Sequence, residues 1–259
     1  MHYRGYFIDL DGTTYKGTDT IPAAARFVAE LQEQRKKVMF VTNNSTRTPE
    51  FVANNLRKNH NIDVTGDNIY TTALATADYL AQHANRQHRK VYVIGEIGLK
   101  NALLNAGFTM DDERPDYVVV GLDSDVTYHK FERAVLAVRN GATFIGTNAD
   151  SNLPNERGMV PGAGSLVKLV EYATQQQPIM IGKPEKIIME MALQKIDLPK
   201  EKVIMVGDNY HTDISAGINV GMDTLLVYTG LSQKNEVMQE KTLPTYQVDT
   251  LDEWDFSKH

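Results

Sequence analysis

The stretch "YFIDLDGTTY", residues 6–15, decides the reading of this chain. An apolar run, Tyr6 to Ile8, stops at Asp9. One leucine later stands a second acid, Asp11, followed by Gly12 and two threonines. The run reads as a short buried strand and the glycine as the turn that ends it. Two carboxylates this close repel, and each raises the other's pKa, so something must offset their cost.

The same rhythm recurs along the chain. "KVMFVT" (37–42), "KVYVI" (90–94), "PDYVVVG" (115–121), "TFIGTN" (143–148), "PIMIG" (178–182), "KVIMVGD" (202–208) and "DTLLVYTG" (223–230) all read as apolar strands. Helical patterns lie between them: 23–34 behind Pro22, Thr48 to about Lys58, 72–84, 98–107, 127–140, a stretch ending near Thr174, 184–195, and a short one at 212–217. A glycine-rich bend, "GMVPGAG", covers 158–164. Continuous apolar strands alternating with helices predict an α/β fold with a parallel sheet buried on both faces.

Bulk composition narrows the function. The chain has 259 residues, 42% of them apolar, and a net charge of −6 from 27 basic and 33 acidic side chains. That balance argues against a nucleic-acid or membrane-surface partner. No cysteine is present, which excludes disulfides, thiolate nucleophiles and cysteine-ligated zinc. No apolar run approaches the ~18 residues of a membrane span. The N-terminus enters a strand without a signal-peptide core, so a cytoplasmic location is expected.

In a parallel α/β sheet, ligands bind beyond the carboxyl ends of the strands. The residues expected there are Asp9 and Asp11 after the first strand and Thr42, Asn43, Asn44 and Ser45 after the second. Lys183 follows "PIMIG", and Gly207, Asp208, Asn209 and Asp213 close the set. Carboxylates, small donors and one lysine on one rim suit a Mg2+-bound phosphate. Mg2+ takes oxygen ligands and would neutralise crowded acids, while a lysine matches charge developing on a phosphoryl group. A carboxylate can act as the nucleophile, and a second acid can shuttle the proton.

The segments "DLDGT", "VTNNS", "GKP" and "GDNYHTDI" resemble, in order, the four motifs of the haloacid-dehalogenase-like (HAD) phosphatases. "TNN", "GTNAD" (146–150) and "PGAGSL" (161–166) are similar to the NagD-like branch, whose members carry a large α/β cap. The resemblance implies a Rossmann-like core with an inserted cap, and Mg2+ as cofactor. It implies Asp9 as nucleophile and metal ligand, Asp11 as general acid/base lending its carbonyl to the metal, and Asp208 as a further ligand. Thr42, Asn43 and Asn44 would bind phosphate, with Gly207 and Asn209 in the loop that supports Asp208. Lys183 would restrain both nucleophile and phosphate. Asp213 would support the lysine or the metal's water shell; without the resemblance it reads as a carboxylate near a helix start. The expected domains are a discontinuous core, 1–82 plus 178–259, and a cap, 83–177. Caps of this size offer a dimer surface in the family, so the resemblance leaves room for a homodimer.

The expected function is a Mg2+-dependent phosphomonoester hydrolase working through an aspartyl-phosphate on a small phosphometabolite. The cap loop at Ser151, Asn152 and Leu153 has no aromatic or histidine to stack on a pyridoxal ring. That favours sugar or sugar-acid phosphates, with nucleoside monophosphates next. The alternative is a non-catalytic, phospho-receiver-like binding protein. Trp254 is expected to pack the C-terminal segment onto the core. His211 is expected at the surface, and "GLDSD" (121–125) to be a loop ending at the Thr127 cap.

Overall fold

The computed structural model describes residues 3–155 and 157–259. It resolves into two compact units. The first holds the segment up to Thr42, Pro49–Tyr70 and Lys183–His259; the second holds Asn43–Thr48 and Thr71–Gly182. These bounds differ from the expected 83–177 insert. The helix Thr72–His83 packs on the helix Ile97–Asn105 and so belongs with the second unit. At the other end, the short strand Ile179–Met180 pairs with Thr143–Gly146, which keeps it there too.

The sheet of the first unit runs, edge to edge, Tyr246–Val248, Asp223–Val227, Val203–Gly207, Gly5–Ile8, Lys37–Thr42 and Ile69–Thr71. The pairs from Tyr246–Val248 across to Lys37–Thr42 are all parallel. The chain lays its first three strands outward from Gly5–Ile8. It then returns to the other side of that strand for Val203–Gly207 and continues outward again. Strand order therefore reverses between Gly5–Ile8 and Val203–Gly207, and the crevice beyond such a reversal is where α/β sheets bind ligands. Ile8 lies in register with Val206, so Asp9 and Asp208, one step further along its strand, emerge at the same end of neighbouring strands.

Both faces of this sheet are covered, as its unbroken apolar strands require. On one face Tyr6, Ile8, Val38, Phe40, Ile204, Val206, Leu225 and Val227 pack with Phe27, Val28 and Leu31 of the helix Pro22–Glu33. Pro22 occupies the first turn of that helix, where its missing N–H costs nothing. The second unit has its own parallel sheet, Ile179–Met180, Thr143–Gly146, Tyr117–Val120, Lys90–Ile94 and Thr109–Met110, with a separate core around Val118, Val120, Phe144 and Val170. The Thr127 cap forms as expected, accepting from the Lys130 N–H at 3.3 Å.

Three segments differ from expectation. The glycine-rich bend is partly strand: Gly158–Pro161 pairs antiparallel with Asn152–Asn155 in a two-stranded ribbon, whose open edges tolerate Pro154 and Pro161. A small hairpin, Tyr15–Lys16 with Asp19–Thr20, turns through Gly17 at φ +60°. The Tyr246–Val248 strand was too short and too polar to read. Trp254 is buried, edge-on to Tyr246 and tilted against Tyr3, and it seals the C-terminal segment onto the core. Trp254→Ala removes this aromatic bulk and is expected to destabilise the first unit by about 3–5 kcal/mol, read as an earlier denaturant midpoint.

Candidate active site

Lys183 carries the strongest constraint in the first unit. Its side chain is 2% exposed, and its ammonium donates to Asp9 Oδ1 at 2.6 Å, Asp213 Oδ1 at 2.7 Å and the Val41 carbonyl at 2.8 Å. All three donor directions of the ammonium are thereby used. Burial alone would lower its pKa, but Asp213 and Asp9 outweigh burial and hold the lysine charged well above its ordinary range.

Asp208 follows the strand Val203–Gly207 and is 1% exposed. Its Oδ1 accepts from the Thr13 hydroxyl at 2.9 Å and its Oδ2 from the Leu231 N–H at 2.8 Å. Asp213 is equally buried; its Oδ2 accepts from the Asn209 N–H at 3.1 Å while Oδ1 takes the lysine. Carboxylate oxygens of Asp9, Asp208 and Asp213 lie within 4.8 Å of one another. Three carboxylates thus face one ammonium, a formal charge of −2 in a nearly dry pocket. Burial and the Asp213 charge push Asp208 up to about 6, against the bonds from Leu231 and Thr13. Asp9 is raised by burial first, then by Asp213, with Lys183 opposing and Asp208 adding.

The crowding at Asp9 does not come from the acid two residues away. The acids that crowd Asp9 are Asp213 and Asp208. Asp11 is exposed, with its carboxylate accepting from the Gly17 N–H at 3.2 Å. Oxygen-only donors with an uncompensated −2 suit a hard divalent cation, and Mg2+ fits them. The family resemblance implies Asp9, Asp208 and the Asp11 carbonyl as its holders; the carboxylates that lie close together are those of Asp9, Asp208 and Asp213.

The other expected residues divide between the units. Thr42 is buried at the end of its strand in the first unit. Asn43 and Asn44 belong to the second, where both side chains carry structural bonds. Asn43 donates to the Asp150 carboxylate at 3.2–3.3 Å, and Asn44 Oδ1 accepts from the Thr46 N–H and hydroxyl, both at 2.8 Å. Gly207 is required because a Cβ there would collide with Asp213. Asn209 caps the wide helical turn Tyr210–Ile214 by accepting from the His211 N–H. His211 projects into solvent as expected. In "GLDSD", Asp123 is buried and paired with Lys130 at 2.9 Å, a structural role.

Reading the motifs missed Thr13, Thr14 and the turn Thr229–Ser232. Thr14 donates to the Asp9 carbonyl at 2.7 Å and Thr229 to the Gly12 carbonyl at 2.6 Å. A signal for the turn was present: "TG" closes the strand that neighbours Val203–Gly207, on the same rim.

A model of haloacid dehalogenase-like hydrolases matches residues 6–109, and a HAD-hydrolase-like model matches residues 180–254. The 5'-nucleotidase YutF of Bacillus subtilis is 48% identical over 252 residues, covering 97% of each chain. An acid sugar phosphatase of Staphylococcus epidermidis is 51% identical over 247 residues, 95% of this chain and 94% of that one. A single mutant of the thermostable NPPase from Geobacillus stearothermophilus superposes with a TM-score of 0.92 at 49% identity, covering 99% of this chain and 100% of that one. NagD from E. coli K-12 also gives 0.92, at 32% identity and the same coverage.

Lys183→Met leaves the carboxylates without their counter-charge and is expected to cost about 3–5 kcal/mol at neutral pH. The sign of the pH response follows from the raised carboxylates. Folded Asp208 binds its proton more tightly than the unfolded chain does, and losing Lys183 raises it further, so the penalty is greatest at high pH and fades as pH falls from above about 6 into the ordinary carboxylate range. Thermal melts of metal-free protein across that window should show the Met variant regaining stability on acidification.

Proposed function

The chain belongs to the haloacid dehalogenase-like hydrolases and is a phosphatase, and from that premise we propose that it is a Mg2+-dependent phosphomonoesterase working through a phosphorylated Asp9. The observation that carries this reading is the −2 cluster of Asp9, Asp208 and Asp213 around Lys183. When bound, Mg2+ would supply positive charge to the cluster and to the phosphoryl oxygens.

The residues then divide the work. Lys183 holds Asp9 Oδ1, and Oδ2 is the oxygen assigned to attack phosphorus as the bond to the leaving oxygen breaks. Asp11, exposed beside the nucleophile's loop, gives that oxygen its proton and later takes one from the water that cleaves the acyl phosphate. Asp213 keeps Lys183 charged and oriented, and Thr13 with the Leu231 N–H orients Asp208. Within the first unit a phosphate contact is assigned to the Thr42 hydroxyl, at the end of the strand Lys37–Thr42.

The favoured substrates are sugar or sugar-acid phosphates, then nucleoside monophosphates. The names acid sugar phosphatase and 5'-nucleotidase among the relatives support these two substrate classes. The cell's cytoplasm is the proposed place of action; among the described residues no helix is long and apolar enough to cross a membrane. The phospho-receiver alternative loses its ground, since such a module needs a single small α/β domain and this chain has two compact units.

Asp9→Asn is expected to lower turnover of p-nitrophenyl phosphate by at least about a thousandfold and to abolish beryllium fluoride capture. Wild-type turnover by the Asn variant would remove the mechanism. A phosphometabolite panel with and without Mg2+ should rank sugar and sugar-acid phosphates above pyridoxal phosphate by kcat/KM, with no turnover after chelation.

A further inference from the structure

We propose that the turn Thr229–Ser232 is a clamp that positions the Mg2+-binding groups, with Thr229 as its positioning residue; this rests on reading the cluster as a Mg2+ site. The turn follows the strand Asp223–Val227, which lies beside Val203–Gly207 in the sheet. It reaches both arms of the site. The Thr229 hydroxyl donates to the Gly12 carbonyl at 2.6 Å. The Leu231 N–H donates to Asp208 Oδ2 at 2.8 Å, and the Ser232 N–H to the Asp208 carbonyl at 3.2 Å. The Ser232 hydroxyl accepts from the Tyr210 N–H at 2.8 Å, which ties down the loop after Asp208.

The Gly12 bond is the informative one. Gly12 sits at φ +94°, and a Cβ there would collide with the Asp208 carboxylate. Its N–H donates to the Tyr15 carbonyl at 2.6 Å. A trans peptide is planar, so this bond also fixes the opposite direction for the Asp11 carbonyl. Thr229 pins the next peptide through the Gly12 carbonyl. With both flanking peptides held, the residue with the greatest conformational freedom in the loop cannot rotate. Freeing the Gly12 carbonyl unpins the Gly12–Thr13 peptide, so the glycine can turn and the Thr13 hydroxyl that orients Asp208 loses its fixed position before an ion arrives.

The segment contributes little else. Thr229 is half-buried, and the Leu231 side chain is 73% exposed, so the turn adds polar geometry rather than apolar burial. Gly230 fits the same purpose, because a Cβ there would also strike Asp208.

The test compares wild type, Thr229→Val and Thr229→Ser by Mg2+ titration calorimetry on full-length protein, with metal-free melting temperatures alongside. Loss of one hydrogen bond is expected to weaken Mg2+ binding about tenfold in the Val variant, with the Ser variant within about twofold of wild type. Wild-type affinity in the Val variant overturns the clamp. If the metal-free Val variant melts early, Thr229→Ala against Thr229→Ser decides, because both lack the methyl and only Ser keeps the donor; equal affinities then overturn the proposal. A wild-type protein that binds no Mg2+ overturns the metal reading itself, and that arm is read before any variant.

Discussion

A lysine with almost no access to water, held between two carboxylates that are nearly as buried, is the interaction on which the site depends. Taking such charges out of water costs several kcal/mol per ion, and only close geometry repays it. Lys183 achieves that geometry by spending all its donors on Asp9, Asp213 and the Val41 carbonyl. One ammonium against three carboxylates leaves a formal charge of −2. The remaining formal charge is the ground for the proposed divalent cation and for the phosphoryl group it would accompany.

The fold explains why these groups meet. Asp9 and Asp208 leave neighbouring parallel strands at the point where strand order reverses, so the sheet itself sets their spacing. Close approach then demands missing side chains. Gly12, Gly207 and Gly230 stand where a Cβ would strike Asp208 or Asp213. The carboxylates are packed against backbone, which keeps them rigid and gives them N–H donors at Asn209 and Leu231. Rigid, preorganised charge is what a phosphoryl-transfer site needs, because positioning and electrostatics supply most of its catalysis.

The sequence was most legible where chemistry and secondary structure coincide. Apolar strands ending in Asp9, Thr42 and Asp208 announced both sheet and rim, and Lys183 before Pro184 stood out as a lone cation beside acids. Partnership was less legible. Sequence adjacency suggested that Asp11 crowds Asp9, yet the crowding comes from Asp213 and Asp208, about two hundred positions away, because charge interactions follow distance in space. Asp213, which alone reads as a helix-start carboxylate, proves as buried as the lysine it holds. Thr229–Ser232 escaped notice because half its contribution is main-chain N–H, which any residue carries. The ribbon at 152–161 and the edge strand at Tyr246–Val248 escaped because two-stranded and edge pairing leaves little apolar periodicity to read.

The most direct measurement is the stoichiometry of Mg2+ binding in the wild-type protein and in Asp208→Asn. The Asn variant keeps the shape of the pocket but reduces its formal charge from −2 to −1. The account predicts one Mg2+ per wild-type chain and loss of that site in the variant. Equal binding by both proteins would contradict it.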